Sequence, residues 1–240
     1  MSGAENMALD HALLRRARMT GETVLRVYAW RQPTVSLGRN QAARGAYNEL
    51  LAAEMGIAFV RRPTGGRAVL HWHEVTYSVT APLHGRVGES YAATNRLLVS
   101  ALRRLGVSAE LALGGETALP LSDAPCFDQA VAGEVVCDGR KLVGSAQWRE
   151  RDATMQHGSI LIDDDQWMLS QLASRQCSAS ERRVTLRELL GHAPTAAEVA
   201  SALRATLDEA AEPLVLDSAT GDAAAQLMTH YESDAWTWRL

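Results

Sequence analysis

Three cysteines in 240 residues, Cys126, Cys137 and Cys177, are too few and too unevenly placed to frame a disulfide scaffold. Their separations of 11 and 40 residues fit no zinc finger or ribbon, so each thiol is either packing or chemistry. No uninterrupted apolar run approaches the ~20 residues of a spanning helix. Met1 to Arg18 lacks the basic start and apolar middle of a secretory signal, which makes the cytoplasm the expected compartment. A strong charge of either sign is missing too: 24 Lys+Arg against 28 Asp+Glu leave −4. Such a balance points to neither nucleic acid nor an anionic membrane as partner. With no low-complexity linker and no internal repeat, a single domain over residues 1–240 is expected. The remaining composition, 47% hydrophobic and 22% charged, excludes a disordered chain.

The pattern along the chain divides in two. Asn6 to Arg18 reads as a helix on the spacing of Met7, Leu9, Leu13 and Leu14. Val24 to Trp30 is extended, with Arg26, Tyr28 and Trp30 on one face and Leu25 and Val27 on the other. A second strand covers Thr34–Leu37, and Tyr47 to Met55 reads as a helix stopped by Gly56. Ile57 to Val60 is a strand, and the alternating Val75 to Val79 another. Tyr91 to Leu105 is an amphipathic helix ended by Gly106. Glu134–Cys137, Asp138-Gly139 and Lys141–Val143 spell a hairpin, and Ser159 to Ile162 is a further strand. Beyond about Asp165 the patterns are helical, at Trp167–Leu172, Leu186–Leu190, Ala196–Ala210 and Asp222–Tyr231. The expected fold is mixed α/β (α+β), with a sheet-rich core to about residue 165 and a helical remainder.

Three places can carry chemistry. In Arg61-Arg62-Pro63-Thr64-Gly65-Gly66-Arg67, two glycines sit among three arginines, with His71 close behind. Adjacent glycines let backbone approach a ligand and expose N–H groups; on the glycines alone a plain hairpin turn is the better reading, but three guanidiniums around it are more than a hairpin needs. The run is neither a Walker loop nor a dinucleotide fingerprint. Cys126 lies in the polar, proline-containing Asp123 to Asp128; by spacing alone a catalytic and a structural thiol stand level. Cys137 ends an apolar run and reads as packing, and Cys177 as incidental. Lys141 precedes Gly144, Ser145 and Gln147 on a strand that can line a pocket, and an ammonium near a thiol favours the thiolate. His157, at a strand entry, ranks below Cys126 and Lys141.

Together, Asn6 to Asp10, Trp30 with Pro33 to Gln41, Arg61 to Ser78, Gly139 to Gln147, Gln156 to Leu161 and Tyr231 to Trp236 resemble the biotin/lipoate A/B protein ligase catalytic module. The match covers nearly the whole chain in order. Within that family the likeness is to the LipM type of octanoyltransferase. The resemblance implies a mixed, largely antiparallel sheet flanked by helices and a pocket beside the glycine turn. It further implies that Cys126 is an acyl-thioester nucleophile whose pKa Lys141 lowers. Arg61, Thr64, Gly65, Gly66, Arg67, His71, Gly144, Ser145, Gln147 and His157 then fall on substrate-binding positions. Two departures stand out: His11 replaces the family's glutamate, and Asp128-Gln129-Ala130 replaces its Pro-Ser after Cys-Phe.

The implied donor is octanoyl-acyl carrier protein, and the implied acceptor a lipoyl-accepting protein, GcvH or an E2 lipoyl domain. The expectation is of a monomer needing no metal and no cofactor. ATP and Mg enter only if the chain is instead an ATP-dependent lipoate–protein ligase. Such ligases usually have a third glycine where Arg67 stands and an aspartate directly after the histidine, where this chain has Trp72. The same residues also admit amidotransfer of an octanoyl or lipoyl group between acceptor proteins, and a non-catalytic acyl-binding relative.

Overall fold

The computed structural model describes residues 1–113, 131–174 and 183–240. Helix α1 (Gly3–Thr20) begins with a capping box: the Ser2 hydroxyl accepts from the Glu5 N–H and the Glu5 carboxylate from the Ser2 N–H. It ends where Gly21 takes the left-handed conformation that a residue with a Cβ resists. The chain then runs β1 (Val24–Tyr28), β2 (Thr34–Leu37), α2 (Glu49–Glu54), β3 (Ala58–Arg61), β4 (Val69–His71) and β5 (Glu74–Pro82). After α3 (Val87–Arg104) come β6 (Glu110–Leu111), β7 (Val135–Cys137), β8 (Arg140–Lys141), β9 (Val143–Glu150) and β10 (Ala153–Leu161). Helices α4 (Trp167–Leu172), α5 (Leu186–Leu190), α6 (Ala196–Arg204), α7 (Ser218–Glu232) and α8 (Asp234–Thr237) complete it.

The main sheet is antiparallel in the order β1-β5-β10-β9. One face packs on α1, through Leu14 and Ala17 against Ala153 and Met155. The other covers the largest core, where Val75, Tyr77, Val143 and Ile160 meet Leu98 and Leu102 of α3 and Val199 of α6. Because both faces are buried, β10 is buried along its entire length. A second sheet, β3-β2-β4, pairs β2 with β3 in parallel and with β4 antiparallel. Its apolar face (Val35, Leu37, Leu70) lies over Leu169 and Leu172 of α4. A ribbon, β6-β7-β8, joins the first core through Val135 and Cys137. The expected mixed, largely antiparallel sheet with helices and a helical C-terminal part is what the chain forms.

Three expectations change in detail. The glycine run is not a hairpin turn, because β3 and β4 do not pair; β2 lies between them, and the run crosses over its end. Strands β9 and β10 extend well beyond the expected 141–143 and 159–162. Polar Gln147, Arg149, Gln156 and His157 break the apolar alternation there, and the reversal uses Arg151 at φ +57 in place of a signalling glycine. Helix α6 stops at Arg204, where the Thr206 hydroxyl caps the Leu203 carbonyl at 2.6 Å.

The C-terminal helices close onto α1. Leu227 and Tyr231 of α7 pack with Met7, Ala12 and Trp30, and the Tyr231 hydroxyl lies 3.0 Å from His11 Nδ1. Burial, with Arg15, His230 and Arg39 nearby, pushes His11 down to about 4 from the usual 6.5. The unfolded chain therefore binds a proton in a range where the fold refuses it. Stability should fall as pH drops from about 6.5 to about 4, by at most ~3 kcal/mol from this residue. Burial depresses His157 in the same direction. Urea midpoints at pH 7 and pH 4.5 test this: His11→Gln should flatten the fall, and an unchanged fall would assign it elsewhere.

Candidate active site

A narrow cavity lies between the α1-side face of the main sheet and the β2/β4 edge of the second. Its floor is a register row of one residue per strand: Tyr28 on β1, Thr76 on β5, Ser159 on β10 and Gly144 on β9. At the usual strand spacing, four strands make the row roughly 14 Å long. His157 and Ala146, paired in the next row of the same face, widen it. Ser36, Arg62, Gly66, Val69 and His71 form the opposite wall.

Arg62 shapes that wall. Its Nη1 donates to the Ser36 carbonyl (2.7 Å) and hydroxyl (3.1 Å), and its Nη2 to the carbonyls of Gly65 (2.8 Å) and Arg67 (2.6 Å). The glycine run is thus folded around a guanidinium. Gly66 sits at φ +92, and a Cβ there would lie 2.9 Å from Arg62 Nη2, so both conformation and space call for glycine. The Arg39 N–H donates to the Thr64 carbonyl at 2.8 Å and fixes the run to the end of β2.

Two histidines are held inside. His71 stacks on Trp30 with ring centres 4.1 Å apart. Its Nε2 is 2.8 Å from the Ser36 hydroxyl, and its Nδ1 lies 3.1 Å from Ser159 Oγ and 3.3 Å from Glu74 Oε1. Trp30 Nε1 donates to Thr76 Oγ1 (2.8 Å), which donates on to Glu74 Oε1 (2.7 Å). His157 Nε2 is 2.6 Å from Thr64 Oγ1, and its Nδ1 faces Asp10 Oδ2 at 3.8 Å. Burial would raise the Asp10 carboxyl, but His157 and Arg26 together hold it below its usual value. Burial keeps His157 down despite Asp10. Arg26 Nη1 (2.7 Å) and the Tyr28 hydroxyl (2.8 Å) both donate to Asp10.

On the α3 side of the sheet a second polar network reaches the cavity. Gln156 Nε2 donates to the Tyr77 hydroxyl (2.9 Å) and to Asn95 Oδ1 (2.8 Å), and Tyr77 meets Ser145 Oγ at 2.7 Å. Gly158 permits this packing, since a Cβ there would fall 2.4 Å from the Gly144 carbonyl oxygen. Asn95 also donates to the Gly133 carbonyl at 2.7 Å. Lys141 Nζ lies 2.9 and 2.8 Å from the two carboxylate oxygens of Glu134, and both side chains are buried. Removing one member of such a pair strands a buried charge. Glu134→Ala should cost ~3–5 kcal/mol, and Glu134→Leu with Lys141→Met should recover most of it. Urea denaturation of the three proteins decides the matter; a single variant as stable as the wild type would show the pair to be idle.

Of the positions that the resemblance marks, Gly66, His71, Gly144, Ser145 and His157 line the cavity. Thr64 backs it through His157, while Gly65 and Arg67 supply carbonyls to Arg62. Arg61 and Gln147 do not line it. Arg61 is buried on the other side of β3, where Nε donates to the Trp236 and Thr237 carbonyls and Nη1 to those of Gly38 and Gln41. It ties α8 to the β2 end, and burial beside Arg239 and Arg62 pushes it down to about 10. Gln147 pairs across from Gln156, in a row whose side chains face α3. Cys126 and Cys177 lie outside the described residues. Cys137 is buried, and burial with Asp138 beside it raises its thiol, so it packs.

Residue-type reasoning gave no site role to Asp10, Trp30, Ser36, Glu74 or Glu134, all polar or aromatic groups of the two networks. A signal for the last did exist. Lys141 is the only lysine in the chain, every other basic side chain being arginine. A buried lysine kept under that bias asks for a carboxylate, and Glu134 lies seven residues before it.

The lipoyl protein ligase A/B catalytic domain model matches residues 2–208. The chain belongs to this family. An octanoyltransferase LipM from Kyrpidia tusciae is 40% identical over 99% of the chain and 95% of that protein. One from an Exiguobacterium species is 36% identical over 99% and 95%. Among solved structures, the bipartite lipoate protein ligase of Thermoplasma acidophilum superposes with a TM-score of 0.78 at 21% identity, over 98% of this chain and 91% of that one. Lipoyl protein ligase A/B domains thus share this fold across wide sequence distance.

Proposed function

We propose that the protein is an octanoyltransferase of lipoate biosynthesis, working through a thioester on Cys126. The observation that carries the reading is full-length similarity to LipM octanoyltransferases. The cavity suits it: its floor is longer than an extended eight-carbon chain and has no charged side chain in its central row.

The reaction has two halves. The Cys126 thiolate adds to the thioester carbonyl of octanoyl-acyl carrier protein, and the carrier's thiolate leaves and takes a proton. The ε-amine of a lysine on a lipoyl-accepting protein, GcvH or an E2 lipoyl domain, then attacks the acyl-enzyme. An amide forms, the C–S bond breaks, and the amine proton returns to the thiolate. Exchange of one thioester for another is nearly balanced and thioester to amide is downhill, so the cycle uses no ATP. In this reading Lys141, held by Glu134, stabilises the thiolate, and His71, His157, Gly66, Gly144 and Ser145 contact the acyl chain. Loss of an oxyanion donor at such a site typically costs ~10²–10³ in rate.

Intact-protein mass spectrometry tests the proposal. With octanoyl-acyl carrier protein and no ATP, the wild type should gain one octanoyl group that hydroxylamine removes. No adduct, together with ATP-dependent acylation of a lipoyl domain by free lipoate, would make the protein a ligase instead.

A further inference from the structure

Several arginines elsewhere in the fold are held in ion pairs. Arg16 binds Glu22 and Asp217, Arg18 binds Asp152, and Arg183 binds Asp164. Helix α3 differs. Arg96, Ser100, Arg103 and Arg104 follow the i, i+4, i+7, i+8 spacing of one helical face, and all four are exposed. With Val99 and Leu111 they line an open groove in which no carboxylate is found among the described residues. Among the described residues none of these arginines is in an ion pair; Arg103 Nε donates to the Ala109 carbonyl. In a chain of net charge −4, a cationic groove with an apolar floor is a local exception.

Its position matters as much as its charge. The opposite side of α3 carries Asn95, which reaches the cavity wall through Gln156, Tyr77 and Ser145. Leu111, which lines the groove, is next to Ala112, whose N–H donates to the Glu134 carbonyl and whose carbonyl accepts from the Gly133 N–H. Residues 112 and 133–134 are therefore hydrogen-bonded to one another beside the groove.

We infer that this α3 groove docks the acyl donor, an acidic carrier protein that presents its octanoyl thioester on a flexible arm. The inference rests on the octanoyltransferase reading. Rim charges of this kind act mainly on encounter rate and salt dependence, so reversing them should slow the protein-borne donor and spare a small one. The test compares acylation by octanoyl-carrier protein with acylation by octanoyl-pantetheine, the same thioester without the protein. In Arg96→Glu/Arg104→Glu, which leaves the Arg103 hydrogen bond in place, kcat/KM for the carrier should fall ~10- to 100-fold and lose its salt dependence. The value for octanoyl-pantetheine should stay at wild type. Unchanged kinetics with both donors, or an equal fall with both, would overturn the docking site. A variant impaired only in transfer to the lipoyl acceptor would also overturn it, by giving the groove to the other partner. If the wild type takes an acyl group from neither donor, the octanoyltransferase reading itself fails.

Discussion

Cys126→Ala is expected to lower octanoyl transfer by ~10³-fold or more, because no other group in the proposed cycle can hold the acyl intermediate. Among the described residues the competing thiol is poorly suited: Cys137 is buried, and its pKa is raised. A thiolate also has the right energetics. It exchanges with a thioester at little cost and leaves readily when an amine attacks, whereas a serine ester would be a poorer acyl donor to lysine. The variant should keep the wild-type circular dichroism spectrum and urea midpoint and show no octanoyl adduct. Undiminished transfer would remove the thioester from the mechanism. A companion measurement addresses Lys141. On the proposed pairing, the pH profile for iodoacetamide labelling of Cys126, read by peptide mass mapping, should move upward in Lys141→Ala, because the thiolate would lose the cation that stabilises it.

Gly38→Ala is expected to be the most damaging glycine-to-alanine change among the described residues. The added Cβ would sit 1.8 Å from the Gly66 carbonyl oxygen and 2.8 Å from its carbon. Both are backbone atoms, so no rotamer relieves the clash. The glycine run would have to lift from the β2 end, against the Arg39–Thr64 hydrogen bond and the four bonds from Arg62. Overpacking typically costs about 1–3 kcal/mol and occasionally more; a backbone clash this close belongs at the upper end, and Thr64 would carry His157 out of place. Gly65→Ala is the control, because nothing lies within 4 Å of a Cβ at that position. Urea melts should separate the two: loss of stability and transfer for Gly38→Ala, near wild-type stability for Gly65→Ala. Equal stability of both variants would mean that the run is free to shift.

Elements with strong local signals were readable from sequence. Thr34–Leu37, Trp167–Leu172 and Leu186–Leu190 form where the apolar pattern puts them. The Asp138-Gly139 turn also forms, both residues taking positive φ as a tight hairpin demands. Long-range pairing was not readable. Nothing near Gly65 says that β2 will insert between β3 and β4, and so the run that looks like a hairpin is a crossover. The same limit explains Arg61 and Arg62. Adjacent in sequence and alike in chemistry, they point to opposite sides of β3, one to the C-terminal carbonyls and one to the glycine run. Alternation along a strand predicts opposite sides but not which side holds the cavity.

The solitary lysine has a consequence for the protein's own survival. An enzyme that carries an activated acyl group toward lysine ε-amines is exposed to its own product chemistry, for every surface lysine is a potential wrong acceptor. This chain presents none: 23 of its 24 basic Lys+Arg side chains are arginine, whose guanidinium stays protonated and non-nucleophilic. The one side-chain amine is buried and clasped by Glu134. An acyl-enzyme of the proposed kind should therefore end in hydrolysis on long storage and not in a scrambled, self-modified protein.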